Sequence, residues 1–138
     1  MKDRIDHSRP MPENPFMSYN HIEIGHVERD HACVILDIVR DSTNIYNVVH
    51  GGAYFTMADC CAGLAARTDG RDYVTQDASV QFIRNTKSGR VTARSTVLNR
   101  GRTICLVEVS ITDSADILLF HGVFSMFCTG NGKTTKES

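Results

Sequence analysis

Two short features of the chain carry groups that chemistry uses. Asp59 lies in the run Met57-Ala58-Asp59-Cys60-Cys61, an apolar setting rich in helix formers. A carboxylate there is neither a cap nor part of a surface ion-pair series. Burying it ionised is costly unless it is paired or put to use. Asp59 is therefore either a working acid–base or nucleophilic group, or an Asp on the one wet stripe of its helix, or one bonded across a subunit interface. The second feature, His50-Gly51-Gly52, stands just before that helix. Glycines at a helix start let a ligand come close to the backbone. First-turn N–H groups lack intrahelical partners and lie at the positive end of the helix dipole, which suits a developing oxyanion. A Gly-Gly turn that only starts a helix is the plain alternative.

Other chemistry finds little support. Ser42, Ser79 and Ser110 sit in no nucleophile elbow. Cys60 and Cys61 are adjacent in an apolar run, where a neutral buried thiol is the common state. His21, His26 and His31 lack ligand spacing, so no metal is expected, and no cofactor. The five cysteines, Cys33, Cys60, Cys61, Cys105 and Cys128, are odd in number and show no CxxC. They read as reduced thiols in a reducing compartment, and the expected address is the cytoplasm. A formal net charge of −1 argues against general nucleic-acid binding. No signal core or membrane-length apolar run is visible.

The elements that must position these groups form one domain. Residues 1–18, broken by Pro10, Pro12 and Pro15, read as a flexible arm, and residues 129–138 as a flexible tail. Residues 19–128 lie between. His21–Glu28 and His31–Val39 read as strands, the second apolar on both faces and so interior. A buried helix follows over Ala53–Arg67, stopped at Asp69-Gly70. Four more strands are expected over Tyr73–Arg84, Val91–Leu98, Thr103–Ile111 and Ile117–Phe127, joined by hairpin-like turns. The fold class is α+β, one long central helix wrapped by a curved antiparallel sheet. A single sheet layer around one helix leaves apolar surface over, so at least a dimer is expected.

The segment from Asn44 through His50-Gly51-Gly52 to Asp59 resembles the hotdog-fold acyl-CoA thioesterases of the phenylacetate-degradation and 4-hydroxybenzoyl-CoA type. Gln81-Phe82-Ile83-Arg84 and Gly101-Arg102-Thr103 are similar to that family's strand and hairpin patterns, and the likeness spans roughly residues 20 to 127. The resemblance implies hydrolysis of acyl-CoA thioesters. Asp59 would act as general base or nucleophile, and the Gly51 N–H would polarise the carbonyl. It also implies that His50 holds the thioester or the loop, that Asn44 orients water or thioester, and that Thr75 stands beside the reacting centre. Val49, Gly52 and Val74 are expected to line the substrate. The implied assembly is a homodimer with shared active sites, in a tetramer.

Arg84, Lys87, Arg90, Arg100 and Arg102 are the cations available to CoA phosphates. Arg100 and Arg102 are preferred because they flank Gly101, where a ligand can approach. Two other functions compete. A hotdog dehydratase or hydratase would pair an Asp with a His in an Asp-x-Asn-x-x-His stretch, which Asp41-Ser42-Thr43-Asn44 followed by His50 does not reproduce. A non-catalytic acyl-CoA binding module would usually add a DNA-binding unit, and residues 1–18 are too short for one.

Overall fold

The structure, a computed structural model, describes residues 13–130. A short helix α1 (Pro15–Tyr19) leads into β1 (Ile22–Glu28) and β2 (His31–Asp37). After a 3-10 turn at Arg40–Ser42 comes the long helix α2 (Gly51–Ala66), then β3 (Asp72–Phe82), β4 (Arg90–Arg100), β5 (Ile104–Thr112) and β6 (Leu118–Gly130). All strand pairs are antiparallel, in the order β1-β2-β4-β5-β6-β3. One helix wrapped by one sheet is the expected hotdog architecture.

The helix is central because its side chains leave it nowhere else to go. Tyr54, Met57, Ala58, Cys61, Ala62, Leu64, Ala65 and Ala66 are buried, and α2 packs against every strand. The alanines and cysteines let its backbone lie close to the sheet. The strands answer with alternation: along β5, Cys105, Val107, Val109 and Ile111 are buried while their neighbours are half-exposed. The connection through α2 carries the chain from β2 to the opposite edge of the sheet. There β3 pairs with β6 alone among the described strands, and most of its residues are exposed.

Several boundaries differ from expectation. The arm expected over residues 1–18 contains α1. Asn14 accepts the Met17 N–H at 3.1 Å as its cap, and Pro15 occupies the first turn, where its missing N–H costs nothing. Met17 is buried against the core. Residues 1–12 of that arm lie outside the described residues, as do residues 131–138 of the expected tail. β6 continues through Thr129 to Gly130, which pairs with Asp72. The helix begins at Gly51 rather than Ala53, and Gly70 ends the following turn with φ +88°. The second strand is interior, between β1 and β4, as its two apolar faces require.

Arg100 differs most. Expected at CoA phosphates, it instead closes the C-terminal end of α2. It donates to the Ala66 carbonyl at 2.8 Å and pairs with Asp30 at 2.7 Å and Asp69 at 2.8 Å. Orphan carbonyls at a helix end attract such a cation. Gly101 is equally committed: its N–H bonds the Ile104 carbonyl, and a Cβ would stand 2.9 Å from that oxygen. Arg71 donates to the carbonyls of Gly101 and Arg102, which ties this hairpin to the turn after α2.

Candidate functional site

Asp59 stands half-buried on α2, and β3 brings Thr75 to it. The Thr75 hydroxyl donates to Asp59 Oδ1 at 2.6 Å. Thr75 precedes a register shift in the β3–β6 pairing, where Gln76 is the extra residue. Such a bulge re-aims side chains. A cavity of about 760 Å³ opens beside this pair, bounded by α1, β1, α2 and the start of β3. Val74 and Cys60 line it as well.

The cysteines beside Asp59 are poor nucleophiles. Burial, and next the charge of Asp59, push the Cys60 thiol up to about 11. Burial pushes Cys61 up to about 12, and its Sγ lies 3.3 Å from the Ser95 hydroxyl. Both thiols are protonated at neutral pH and so are poor nucleophiles.

The start of α2 is a separate locality. His50 is its N-cap, and its Nδ1 accepts the Gly52 N–H at 2.8 Å. In the neutral ring this places the proton on Nε2. Among the described residues no acceptor meets the Gly51 N–H. Asn44 builds the preceding loop: its Oδ1 accepts the N–H groups of Tyr46 at 2.8 Å and Val48 at 3.4 Å. Val49 is fully buried and held on both sides, its N–H on the Thr86 carbonyl and its carbonyl on Asn85. A hollow beside Gly51 is lined by Asn44, Val49, Tyr54, Phe82, Arg84 and Asn85.

The candidate residues thus fall into two groups. Asp59, Thr75 and Val74 line one cavity, whereas Asn44, Val49 and Gly51 line the other hollow. Gly52 donates its N–H to the His50 cap, and Arg100, Gly101 and Arg102 lie with the hairpin. Eight residues of α2 separate Gly51 from Asp59, roughly 12 Å along the axis. One carbonyl cannot meet both within a single chain. Among the described residues, no cluster of three or more His, Cys, Asp or Glu could hold a metal ion, and no helix is long and apolar enough to cross a membrane.

Sequence reasoning missed α1, Asn85 and Gly63. Asn85 accepts the Tyr54 hydroxyl at 3.2 Å and donates to Val49, fastening the chain ahead of Gly51. Its Arg84-Asn85-Thr86 context reads only as polar turn. Gly63 had a usable signal, since a glycine inside a helix costs about 1 kcal/mol relative to Ala. A Cβ there would meet only Met126 Cε, at an ordinary 3.8 Å.

Residues 46–120 match the family model of the thioesterase superfamily. A hypothetical thioesterase protein of Streptococcus pneumoniae, whose crystal structure holds coenzyme A, is 32% identical, with 80% of this chain and 90% of that one covered and a TM-score of 0.76. An Asp and a Thr of that protein, sixteen residues apart, have each been replaced by alanine in further crystal structures. Asp59 and Thr75 are also sixteen apart. The smu.793 protein of Streptococcus mutans, bound to acetyl CoA, is 29% identical, covering 92% and 98%, with a TM-score of 0.78. The E. coli PaaI protein from the phenylacetic acid degradation operon shares the fold at 19% identity, covering 86% and 87%, with a TM-score of 0.83.

Proposed function

The chain belongs to the thioesterase superfamily, and we propose that it hydrolyses acyl-CoA thioesters to free acid and coenzyme A in sites shared by two copies of itself. The observation that carries this reading is the Asp59–Thr75 pair lining a cavity, where thiols are protonated and a carboxylate is the available anion. The matching Asp and Thr spacing in the coenzyme A-bound streptococcal protein supports it.

Thr75 occupies one oxygen of Asp59 and orients the group, leaving Oδ2 for chemistry. Oδ2 either takes a proton from water as that water attacks the thioester carbon, or attacks the carbon itself to give an anhydride that water then opens. Either way the carbonyl oxygen gains negative charge. The Gly51 N–H at the positive end of α2 stabilises it. Collapse expels the CoA thiolate, which takes up a proton. Water, a carboxylate and a backbone donor suffice, so the reaction proposed uses no metal or other cofactor.

On this reading Gly51 comes from a second copy, because within one chain it stands roughly 12 Å along α2 from Asp59. The β3 edge supports such an assembly. It presents unpaired backbone groups together with Val74 and Phe82, each more than half exposed, and strands of this kind pair readily. Pairs of such dimers form the expected tetramer, in the cytoplasm. The hollow beside Gly51 takes the CoA arm, and Arg84 rather than Arg100 meets its phosphates.

The test is release of free CoA from a panel of aryl- and aliphatic-CoA esters, with wild type beside Asp59→Asn. Asparagine keeps the size and removes the charge. We expect turnover of part of the panel by wild type and a loss of about 10²- to 10⁴-fold in the variant. Equal activity in both would make Asp59 structural. Binding of CoA esters without turnover would favour a binding module.

A further inference from the structure

We infer that the cavity beside Asp59 takes the acyl group of the thioester, and that Gly63 sets how far an apolar acyl chain extends. This rests on the reading of Asp59 as the group at the thioester carbon. Asp59, Gly63 and Arg67 are four residues apart in turn, so they share one face of α2. All three line the cavity. It therefore begins at Asp59 and runs roughly 12 Å along the helix toward Arg67.

Its walls are apolar where a chain would lie: Met17 of α1, Ile22 and Ile24 of β1, Leu64 of α2 and Val74 of β3. The charge pattern decides which end of the substrate enters. Glu13 and Glu23 border the cavity, and their carboxylates repel the phosphates of CoA. An uncharged acyl chain meets no such penalty. Arg67, paired with Asp72 at 3.1 Å, marks the far end.

Gly63 is the second observation. Its position costs helix stability, yet a Cβ would fit there, since it would meet only Met126 Cε at an ordinary 3.8 Å. The space lies one turn beyond Asp59, where the first carbons of an acyl chain pass. The substrate class is then acyl-CoA with an apolar acyl group whose length is bounded by the roughly 12 Å run from Asp59 to Arg67.

Thioether analogues test this without hydrolysis. The probes are S-alkyl-CoA compounds from ethyl to dodecyl, titrated calorimetrically into wild type, Gly63→Ala and Gly63→Leu. In wild type, affinity should rise by up to about fourfold per methylene and then level off as the chain fills the cavity. Gly63→Leu should level off earlier, losing roughly tenfold or more for octyl-CoA while ethyl-CoA stays within about twofold. Gly63→Ala, whose methyl makes only an ordinary contact, should fall between and serves if the leucine variant does not fold. A flat series in wild type, or an unchanged plateau in the folded variants, overturns the inference. Because thioethers bind without turnover, hydrolysis of esters beside a flat series would leave the thioesterase reading standing and remove this one.

Discussion

The mechanism proposed for Asp59 and Gly51 rests on opposite properties, a half-buried carboxylate on an apolar helix and a donor left without an acceptor among the described residues. The Thr75 hydroxyl holds one Asp59 oxygen through a short, charge-assisted bond. The Gly51 N–H can be removed with unusual precision. His50 has φ −68° and ψ 139°, the extended backbone that a following proline demands, and Gly51 is the first helical residue, where proline is at home. The added ring meets Phe82, whose nearest atom would stand 3.3 Å from a Cβ. The backbone suits proline but Phe82 must give by a few tenths of an ångström, so Gly51→Pro should fold with a modest loss of thermal stability, while kcat falls about 10²- to 10³-fold for want of one oxyanion donor. Activity near wild type in the folded variant would remove Gly51 from the mechanism. The sequence exposes Asp59 and Gly51 because each breaks a local pattern, a charge in an apolar helix and a glycine pair before one. Asn85 breaks none, since a polar residue in a polar turn looks the same whether or not it pins Val49.

Both ends of α2 are tied, and the C-terminal tie makes stability depend on pH. Asp69 is reached by Arg71 at 2.8 Å, by the Tyr73 hydroxyl at 2.6 Å and by Arg100 at 2.8 Å. Burial pushes its carboxyl upward, but the Tyr73 bond, the Arg71 main chain and side chain and the Arg100 charge outweigh it, and the group lies below its ordinary range. A depressed folded value stabilises above the unfolded value of about 3.9 and is lost as pH falls through the folded one. Asp69→Asn should cost about 3 kcal/mol at neutral pH in urea denaturation. The gap to wild type should narrow below about pH 4. A gap that persists in acid would assign the loss to packing. Gly63→Ala should act oppositely in the same helix, raising stability by about 0.5–1 kcal/mol in the same assay, because no neighbour resists the methyl. A loss of stability would mean that the site is sterically closed. The tie itself was not legible in sequence. Arg100 beside a glycine looks like a free turn cation until folding brings Asp30 and Asp69 to it. Element type was legible, since β5 alternates and α2 is built of Ala, Met and Leu; α1 was not, because five residues among prolines are too few for a period to appear.

For the molecule as a whole, the proposed mechanism gives each chain two half-sites, and the exposed edge strand β3 is the proposed route to joining them. The order of two strands, a helix and four strands could be read from alternation and turn residues, and it placed the helix at the centre. Which edge stays open could not be read locally, because the sequence of β3 alternates like that of any half-buried strand. In the proposed dimer that edge would turn a gap of roughly 12 Å within one chain into a contact between two. The account stands or falls on this sharing, and subunit complementation measures it directly. Asp59→Asn and Gly51→Pro proteins, each nearly inactive, are unfolded together in equal amounts, refolded, and assayed for CoA release. In a mixed dimer one site inherits both lesions and the other inherits none. Half of randomly assembled dimers are mixed, so activity should return to about a quarter of wild type. Activity that stays at the mean of the two separate variants, with mixed dimers demonstrably present, would place Asp59 and Gly51 in the same chain's site or in none, and would contradict the account.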